Sequence, residues 1–332
     1  MKFNLLTENK DTVSDFKGFL DIWNGESNTI RQESSGSTGS PKLIEIPKWR
    51  MKASAEMTGD FFELDKMNSS LLCISPKYIG GKMMIVRSVL YNLELTIADV
   101  SSNPIKDLTK KMDFAAMVPL QVDTILDETP EKLDLIKYLI IGGAPVSLNL
   151  EKRLQSRKCM AFSTYGMTET VSHIALKILD NQNAPFKAIG ETSFKENDGE
   201  LIIHSPQLKI KALYTNDIVE LIDEHQFQWR GRKDFVINSG GIKIHPEKLE
   251  EKIKNKILED DFIVSSTSDV TYGEKVIIIC EEGIFNKIQQ LVNNWCFDRY
   301  TKPKEIFIIE KLPLTKSGKI DRLAAKGKAI HD

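Results

Sequence analysis

Between Val13 and Trp23 the apolar residues Phe16, Phe19, Leu20 and Trp23 recur at helical spacing, which predicts an amphipathic helix packed by one face onto the body of the protein. Two short β-prone runs follow, Asn28 to Gln32 and Leu43 to Ile46, separated by a polar stretch containing glycine. Arg50 to Phe62 returns to helical spacing, with Ala53, Ala55, Met57 and Phe61 as packing positions. Beyond it, short apolar runs and helical segments alternate: strand Ser70 to Ser75, helix Gly81 to Asn92, strands Leu93 to Val100 and Phe114 to Val118, helix Leu120 to Asp127, strand Tyr138 to Ile141. Such alternation with short connections predicts an α/β sheet that is at least partly parallel.

From Gly199 the texture changes. Glu200 to His204, Lys211 to Leu213, Ile218 to Ile222 and Phe227 to Arg230 are short strand candidates between turn residues, predicting an antiparallel sheet or small barrel. A third texture begins after Arg232: strand Phe235 to Asn238, a Gly240-Gly241 turn, helix Pro246 to Ile257, strands Phe262 to Ser266 and Lys275 to Cys280, helix Ile284 to Trp295, strand Glu305 to Ile309 and a polar tail. The expected fold class is therefore α/β: a large N-terminal domain over residues 1 to 232, with a mixed sheet and a β-rich part from about residue 190, then a small α+β domain over residues 233 to 332.

Composition narrows the function classes. A formal net charge of −2 with no dominant basic block argues against nucleic acid as the main partner. No run is long and apolar enough to insert into a membrane. Cys73, Cys159, Cys280 and Cys296 are scattered without metal-binding spacing; Cys73 and Cys280 lie in apolar strand-like runs and read as buried reduced thiols, and a cytoplasmic setting is expected.

The chemically suggestive stretch is Ser34-Ser35-Gly36-Ser37-Thr38-Gly39-Ser40-Pro41-Lys42. Glycines let backbone N–H groups converge on an anion, while hydroxyls and Lys42 add donors and charge. It lacks the Walker spacing. Taken alone, it reads equally as a hairpin connection and as a phosphate cradle.

Further motifs follow in order: Gly142-Gly143-Ala144-Pro145, Tyr165-Gly166-Met167-Thr168-Glu169, Gly199-Glu200-Leu201, Asp217, Gly231-Arg232-Lys233-Asp234, Ser239-Gly240-Gly241, and Pro313-Leu314-Thr315-Lys316-Ser317-Gly318-Lys319-Ile320. Together they resemble the adenylate-forming superfamily of acyl-CoA synthetases, adenylation domains and luciferases. Within it, Ser75 to Arg87 looks like the corresponding stretch of the 2-succinylbenzoate:CoA ligases of menaquinone biosynthesis.

The resemblance implies an AMP- and pyrophosphate-forming acid:CoA ligase that uses ATP, Mg²⁺ and CoA, with a small-molecule carboxylic acid as partner. It implies that Ser35, Gly36, Ser37, Thr38, Gly39 and Lys42 hold the β- and γ-phosphates, that Gly143, Ala144, Pro145 and Tyr165 line the adenine, and that Gly166 belongs to the same nucleotide site. Asp217 would bind the ribose, Arg232 the ribose or a phosphate, Thr168 the α-phosphate and Glu169 the metal, with Lys319 as the catalytic cation. Asp234 matches the hinge about which a mobile C-terminal domain turns, and Gly240, Gly241 and Lys243 match the CoA tunnel. Gly166 precedes Thr168-Glu169, which also reads as an acidic helix start. The usual Thr-Gly-Asp is replaced by Thr215-Asn216-Asp217, where asparagine is expected to keep a left-handed turn.

For the acid itself, Tyr78, Gly81, Lys82, Arg87 and His173 are candidates. Lys82 and Arg87 suit an acidic substrate if their helix starts at the pocket, and read equally as surface charges; a lone His173 reads equally as structural. Superfamily members carry a longer segment before the phosphate loop, so homodimerisation over the exposed flank is a further expectation. Competing functions are another aryl- or acyl-CoA ligase, a carrier-protein-loading enzyme and a non-catalytic nucleotide-binding homologue.

Overall fold

The computed structural model describes residues 2–33, 43–181, 184–295, 297–315 and 320–331. The phosphate-loop residues Ser35 to Lys42, and Lys319, lie outside the described residues.

The chain opens with β1 (Phe3–Leu5) and α1 (Lys10–Asn24). Asn9 caps α1, its Oδ1 accepting from the N–H groups of Asp11 and Thr12, and Phe16, Phe19 and Trp23 are buried as their spacing predicts. A separate antiparallel hairpin, β2 (Thr29–Glu33) with β3 (Leu43–Pro47), leads into α2 (Lys48–Phe62). Met51, Ala55, Met57 and Phe62 are the apolar residues α2 buries, whereas Phe61, expected inside, is 40% exposed and meets Phe62 and Phe162 by its edge.

The α/β half continues with β4 (Ser69–Leu72), α3 (Ile79–Leu90), β5 (Glu94–Ile97), β6 (Met112–Met117), α4 (Pro119–Glu128), β7 (Ile136–Ile141), α5 (Leu148–Leu154) and β8 (Met160–Gly166). Strands β1, β5, β4, β6, β7 and β8 lie side by side in that order, all parallel. One apolar core lies under α1, α2 and α3, and a second packs α4 and α5 on the opposite face. In such sheets ligands bind at the carboxyl ends of the strands. Those ends carry Tyr78, Gly143 to Pro145, and Tyr165 to Glu169.

Next come β9 (His173–Ile178), β10 (Phe186–Ala188), β11 (Ser193–Asn197), β12 (Glu200–Ser205), β13 (Ile210–Asp223) and β14 (Gln226–Arg232), all paired antiparallel. They form no separate barrel: β9 pairs with β8, so these strands extend the parallel ones into a sheet of twelve. The two short runs expected from Lys211 to Leu213 and Ile218 to Ile222 belong to one strand: Leu213 and Tyr214 pair with β12, Asp217 pairs with β14, and Thr215-Asn216 fall in an irregularity of the ladder with β12. Asn216 has no left-handed turn, contrary to expectation.

The last part comprises β15 (Ile237–Ser239), β16 (Ile242–Ile244), α6 (Pro246–Ile257), β17 (Phe262–Asp269), β18 (Gly273–Glu281), α7 (Phe285–Asn294), β19 (Glu305–Ile309) and α8 (Arg322–His331). Its sheet is distinct from the large one and has apolar clusters of its own on both faces. The expected polar tail is a helix, α8, which buries Ala325 and Ala329 against Ile263, Ile277 and Ile279. Cys73, Cys159 and Cys280 are buried free thiols.

Candidate active site

Tyr165 ends β8, and Asp217 and Arg232 face each other as a cross-strand pair of β13 and β14. This register brings three separate motifs to one point. The Tyr165 hydroxyl donates to Asp217 Oδ2 at 2.7 Å, and Nε1 of Trp229 donates to Oδ1 at 3.1 Å. Arg232 Nη1 stands 3.8 Å from the same Oδ1. Burial, reinforced by the Asp217 charge, raises the Tyr165 phenol well above its usual value, so it remains a donor. Its ring packs on Phe186 and Phe227, with centroids 5.8 and 5.1 Å away.

Sequence reasoning missed Trp229. One signal was available: it lies on the strand that ends at Arg232, within cross-strand reach of Asp217.

Asp234 sits next to this cluster. Its Oδ2 accepts from Arg232, and its Oδ1 accepts from Asn216 Nδ2 at 2.9 Å. Burial alone would lower the Arg232 pKa, but the neighbouring Asp234 and Asp217 more than offset it, and the net shift is upward.

Thr168 and Glu169 occupy a single helical turn, Thr168–Thr170, closed by a strained link. Val171 has φ 68° and ψ −55°, with the Ser172 N–H bonded to the Thr170 carbonyl at 2.8 Å. This is a γ-turn of the rare positive-φ kind, at a β-branched residue. Such conformations persist only where the surroundings over-determine them. Here the Thr170 hydroxyl accepts from Met167 N–H and donates to main-chain carbonyls, while Arg50 holds the Glu169 carbonyl at 2.7 Å. Gly166 permits the turn, since a Cβ there would stand 2.3 Å from the Ser172 carbonyl oxygen.

The Glu169 side chain is exposed and, among the described residues, carries no cationic partner. It borders a cleft of ≈ 510 Å³ walled by Trp49, Arg50 and Leu208 to Leu213. Gly143 and Pro145 are exposed and Ala144 is half-buried, all just beyond the end of β7.

The five acyl-site candidates separate. Tyr78 is half exposed, just before α3. Gly81 is buried with its Cα against the carbonyls of Ile74 and Ser75. Lys82 reaches back to the hairpin, its Nζ donating to Gln32 Oε1 at 2.6 Å and the Arg31 carbonyl at 3.0 Å, and burial lowers its pKa. Arg87 is 1% exposed, donates to Ser172 Oγ at 3.1 Å, and leaves Nε unpartnered. Burial pushes it down to about 9, and no carboxylate pairs with it among the described residues. His173 lies between Thr58 Oγ1, 3.1 Å from Nε2, and Ser172 Oγ, 3.4 Å from Nδ1. Burial, and then the Arg87 charge, depress its pKa far enough to keep the ring neutral. Gly240 and Gly241 are exposed on the β15–β16 turn, and Lys243 is exposed in β16.

A parallel sheet with a hydroxyl–carboxylate turn and a buried Tyr–Asp–Arg cluster at its carboxyl ends defines an α/β enzyme that handles nucleotides. The chain matches the AMP-binding enzyme family over residues 30–208, more than half its length, and belongs to that family. A curated relative, the 2-succinylbenzoate–CoA ligase of Listeria monocytogenes serovar 1/2a, is 25% identical, over 91% of this chain and 70% of its own. A solved acyl-CoA synthetase (AMP-forming)/AMP-acid ligase II-like protein from Dyadobacter fermentans is 31% identical with TM-score 0.64, over 97% of this chain and 95% of that one. The O-succinylbenzoate coenzyme A synthetase of Bacillus subtilis, solved with ATP and magnesium, shares the fold at 20% identity and TM-score 0.74, over 89% of this chain and 69% of that one.

Proposed function

We propose that the protein activates 2-succinylbenzoate with ATP and transfers the acyl group to CoA. A carboxylate oxygen attacks the α-phosphorus of ATP, the bond to the β-phosphate breaks, and pyrophosphate leaves. The CoA sulfur then attacks the acyl carbon and AMP departs. The feature that carries the reading is the convergence of Tyr165, Asp217 and Arg232 at the carboxyl ends of the strands that also present Thr168 and Glu169.

In this reading Asp217 accepts from the ribose hydroxyls, Tyr165 and Gly143 to Pro145 flank the adenine, and Thr168 donates to the α-phosphate. Glu169 fits Mg²⁺, which needs few protein carboxylates when phosphate oxygens complete its shell. The ion would neutralise charge on the phosphates. Lys319 adds the cation that offsets repulsion between the two anions, and Ser35 to Lys42 grip the departing pyrophosphate. Lys82 fixes β2, which leads into that loop. The C-terminal part, beginning at residue 233, turns about Asp234 to exchange Lys319 for the Gly240-Gly241 turn.

The acid is supported by the relatives' names and by Arg87. A guanidinium buried without a carboxylate calls for an anion, and 2-succinylbenzoate carries a second carboxylate that is not consumed. Pyrophosphate release across a panel of carboxylic acids tests the proposal: ATP- and Mg²⁺-dependent release is expected with 2-succinylbenzoate, with thioester appearing only when CoA is added. A flat response across the panel would reject it.

A further inference from the structure

Arg50 stands in the first turn of α2, where a cation meets the positive end of the helix dipole. Burial in the wall of the cleft lowers its pKa, and no carboxylate pairs with it among the described residues. Its Nε is buried without a hydrogen-bond partner, while its Nη2 donates to the Glu169 carbonyl at 2.7 Å. A guanidinium placed in this way costs stability that one hydrogen bond barely offsets, which points to a use in the turn it holds.

Around that turn Thr170, Val171 and Ser172 donate their N–H groups to the carbonyls of Met167, Thr168 and Thr170, which leaves the Glu169 carbonyl to Arg50. Val171 follows at positive φ, so relaxation of this strained link would rotate the peptide after Glu169 and swing the Glu169 side chain with it. The carboxylate is exposed and has no cationic partner among the described residues, so its direction comes from the main chain. The helix that carries Arg50 is anchored, with Met51, Ala55 and Met57 buried.

We infer that Arg50 is a positioning residue for the metal: by holding the Glu169 carbonyl it aims the Glu169 carboxylate at the Mg²⁺ that accompanies ATP. The inference rests on the metal role proposed above for Glu169. A group that fixes a metal-binding carboxylate from behind removes the freedom that binding would otherwise have to freeze, and loss of such a partner costs about 10–100-fold in metal affinity. A guanidinium that instead touched the phosphates directly would act on ATP with or without the metal.

Calorimetric titration with ATP, in Mg²⁺ and in EDTA and with no acid present, separates the two. In Arg50→Leu the gain in ATP affinity that Mg²⁺ gives the wild type should shrink by about tenfold or more, with binding in EDTA unchanged. Arg50→Lys keeps a donor able to reach the carbonyl and should recover most of the loss. In the metal-free protein, amide exchange at Thr170 to Ser172 should be about fivefold faster in Arg50→Leu, with α2 and β8 unaffected. An unchanged Mg²⁺ gain, an equal loss in EDTA, a lysine variant no better than leucine, or unaltered exchange would overturn the inference. Glu169→Gln keeps the two proposals apart. Retention of the Mg²⁺ gain in that variant rejects the metal role of Glu169 and this inference with it; loss there but not in Arg50→Leu rejects the role of Arg50 alone. Neither readout needs an acid substrate, so failure of the proposed reaction leaves both in force.

Discussion

The side-chain amide of Asn216 donates to the carboxylate of Asp234, with Nδ2 and Oδ1 2.9 Å apart. Asn216 stands where relatives of the resembling superfamily carry glycine, which has no side chain to offer. Here strand β13 is therefore tied to the junction ahead of β15. The same carboxylate takes the fork of Arg232, and Lys233 pairs with Glu200.

Asn216→Ala should loosen that junction. An exposed hydrogen bond to a charged group contributes on the order of 1 kcal/mol, so local opening should become about fivefold more frequent. Limited trypsin cleavage after Arg232 or Lys233 should speed up accordingly, with little change in Tm. Unchanged cleavage would mean that the bond holds nothing at this junction.

Trp229→Phe keeps the aromatic bulk and deletes one donor to Asp217. The carboxylate then loses the group that fixes its orientation on the side opposite Tyr165. A hydrogen bond to a charged acceptor is worth about 1.5–3 kcal/mol, so KM for ATP should rise by about tenfold or more while kcat changes little. An unaltered KM would leave Trp229 as a packing residue only.

Much of this arrangement was legible in the residues. Tyr165, Asp217, Arg232 and Asp234 stood in separated motifs, and the cross-strand register of β13 with β14 is what joins them. The helix α8 was not legible, because the residues it buries are the small Ala325 and Ala329, while its larger apolar side chains, Leu323 and Ile330, are exposed. Phe61 and Phe62 are adjacent, and periodicity could not choose which of them faces inward. The Asn216 turn failed for a different reason: the irregular ladder between β12 and β13 passes Asn216 without a left-handed residue, and its side chain is spent on Asp234. The burial of Arg87 was equally hidden, since the residue it meets, Ser172, lies far along the chain just ahead of β9.

Arg87→Met should separate stability from function. Replacing an unpaired buried charge with an apolar side chain of similar length is expected to stabilise the unliganded protein by about 1–4 kcal/mol and raise Tm. The same change should raise KM for 2-succinylbenzoate sharply, with ATP binding preserved. A fall in Tm would show that an anion or an unseen partner already satisfies the guanidinium.

Lys319→Ala and Gly241→Leu should divide the reaction in two. The first is expected to abolish acyl-adenylate formation and spare transfer from preformed adenylate to CoA; equal loss of both steps rejects the assigned role. The second should do the reverse. A Cβ on Gly241 meets nothing within 4 Å in this arrangement, so the cost to folding is confined to the strain of a side chain at φ 83°. Normal thioester production by Gly241→Leu would remove that turn from the CoA path.

Glu247, in the first turn of α6, gives the junction a pH dependence. Its carboxylate is largely buried beneath the last residues of β14: a Cβ on Gly231 would stand 2.6 Å from its Oε2, which has no hydrogen-bond partner. Burial pushes its pKa up from 4.5 to about 6; Arg322 and the Arg232 N–H pull the other way, while Glu250 adds to the rise. Between those values the folded protein holds a proton that the unfolded chain has released. Stability therefore falls as pH rises through that window, by about 2 kcal/mol in all, and stays lower above it. Glu247→Gln removes the cost of the buried charge. Its Tm should exceed the wild type's at pH 7.5, and the difference should close as pH approaches 4.5, where the native carboxyl is already protonated. A constant difference across that range would assign the effect to packing at Gly231 instead of to ionisation.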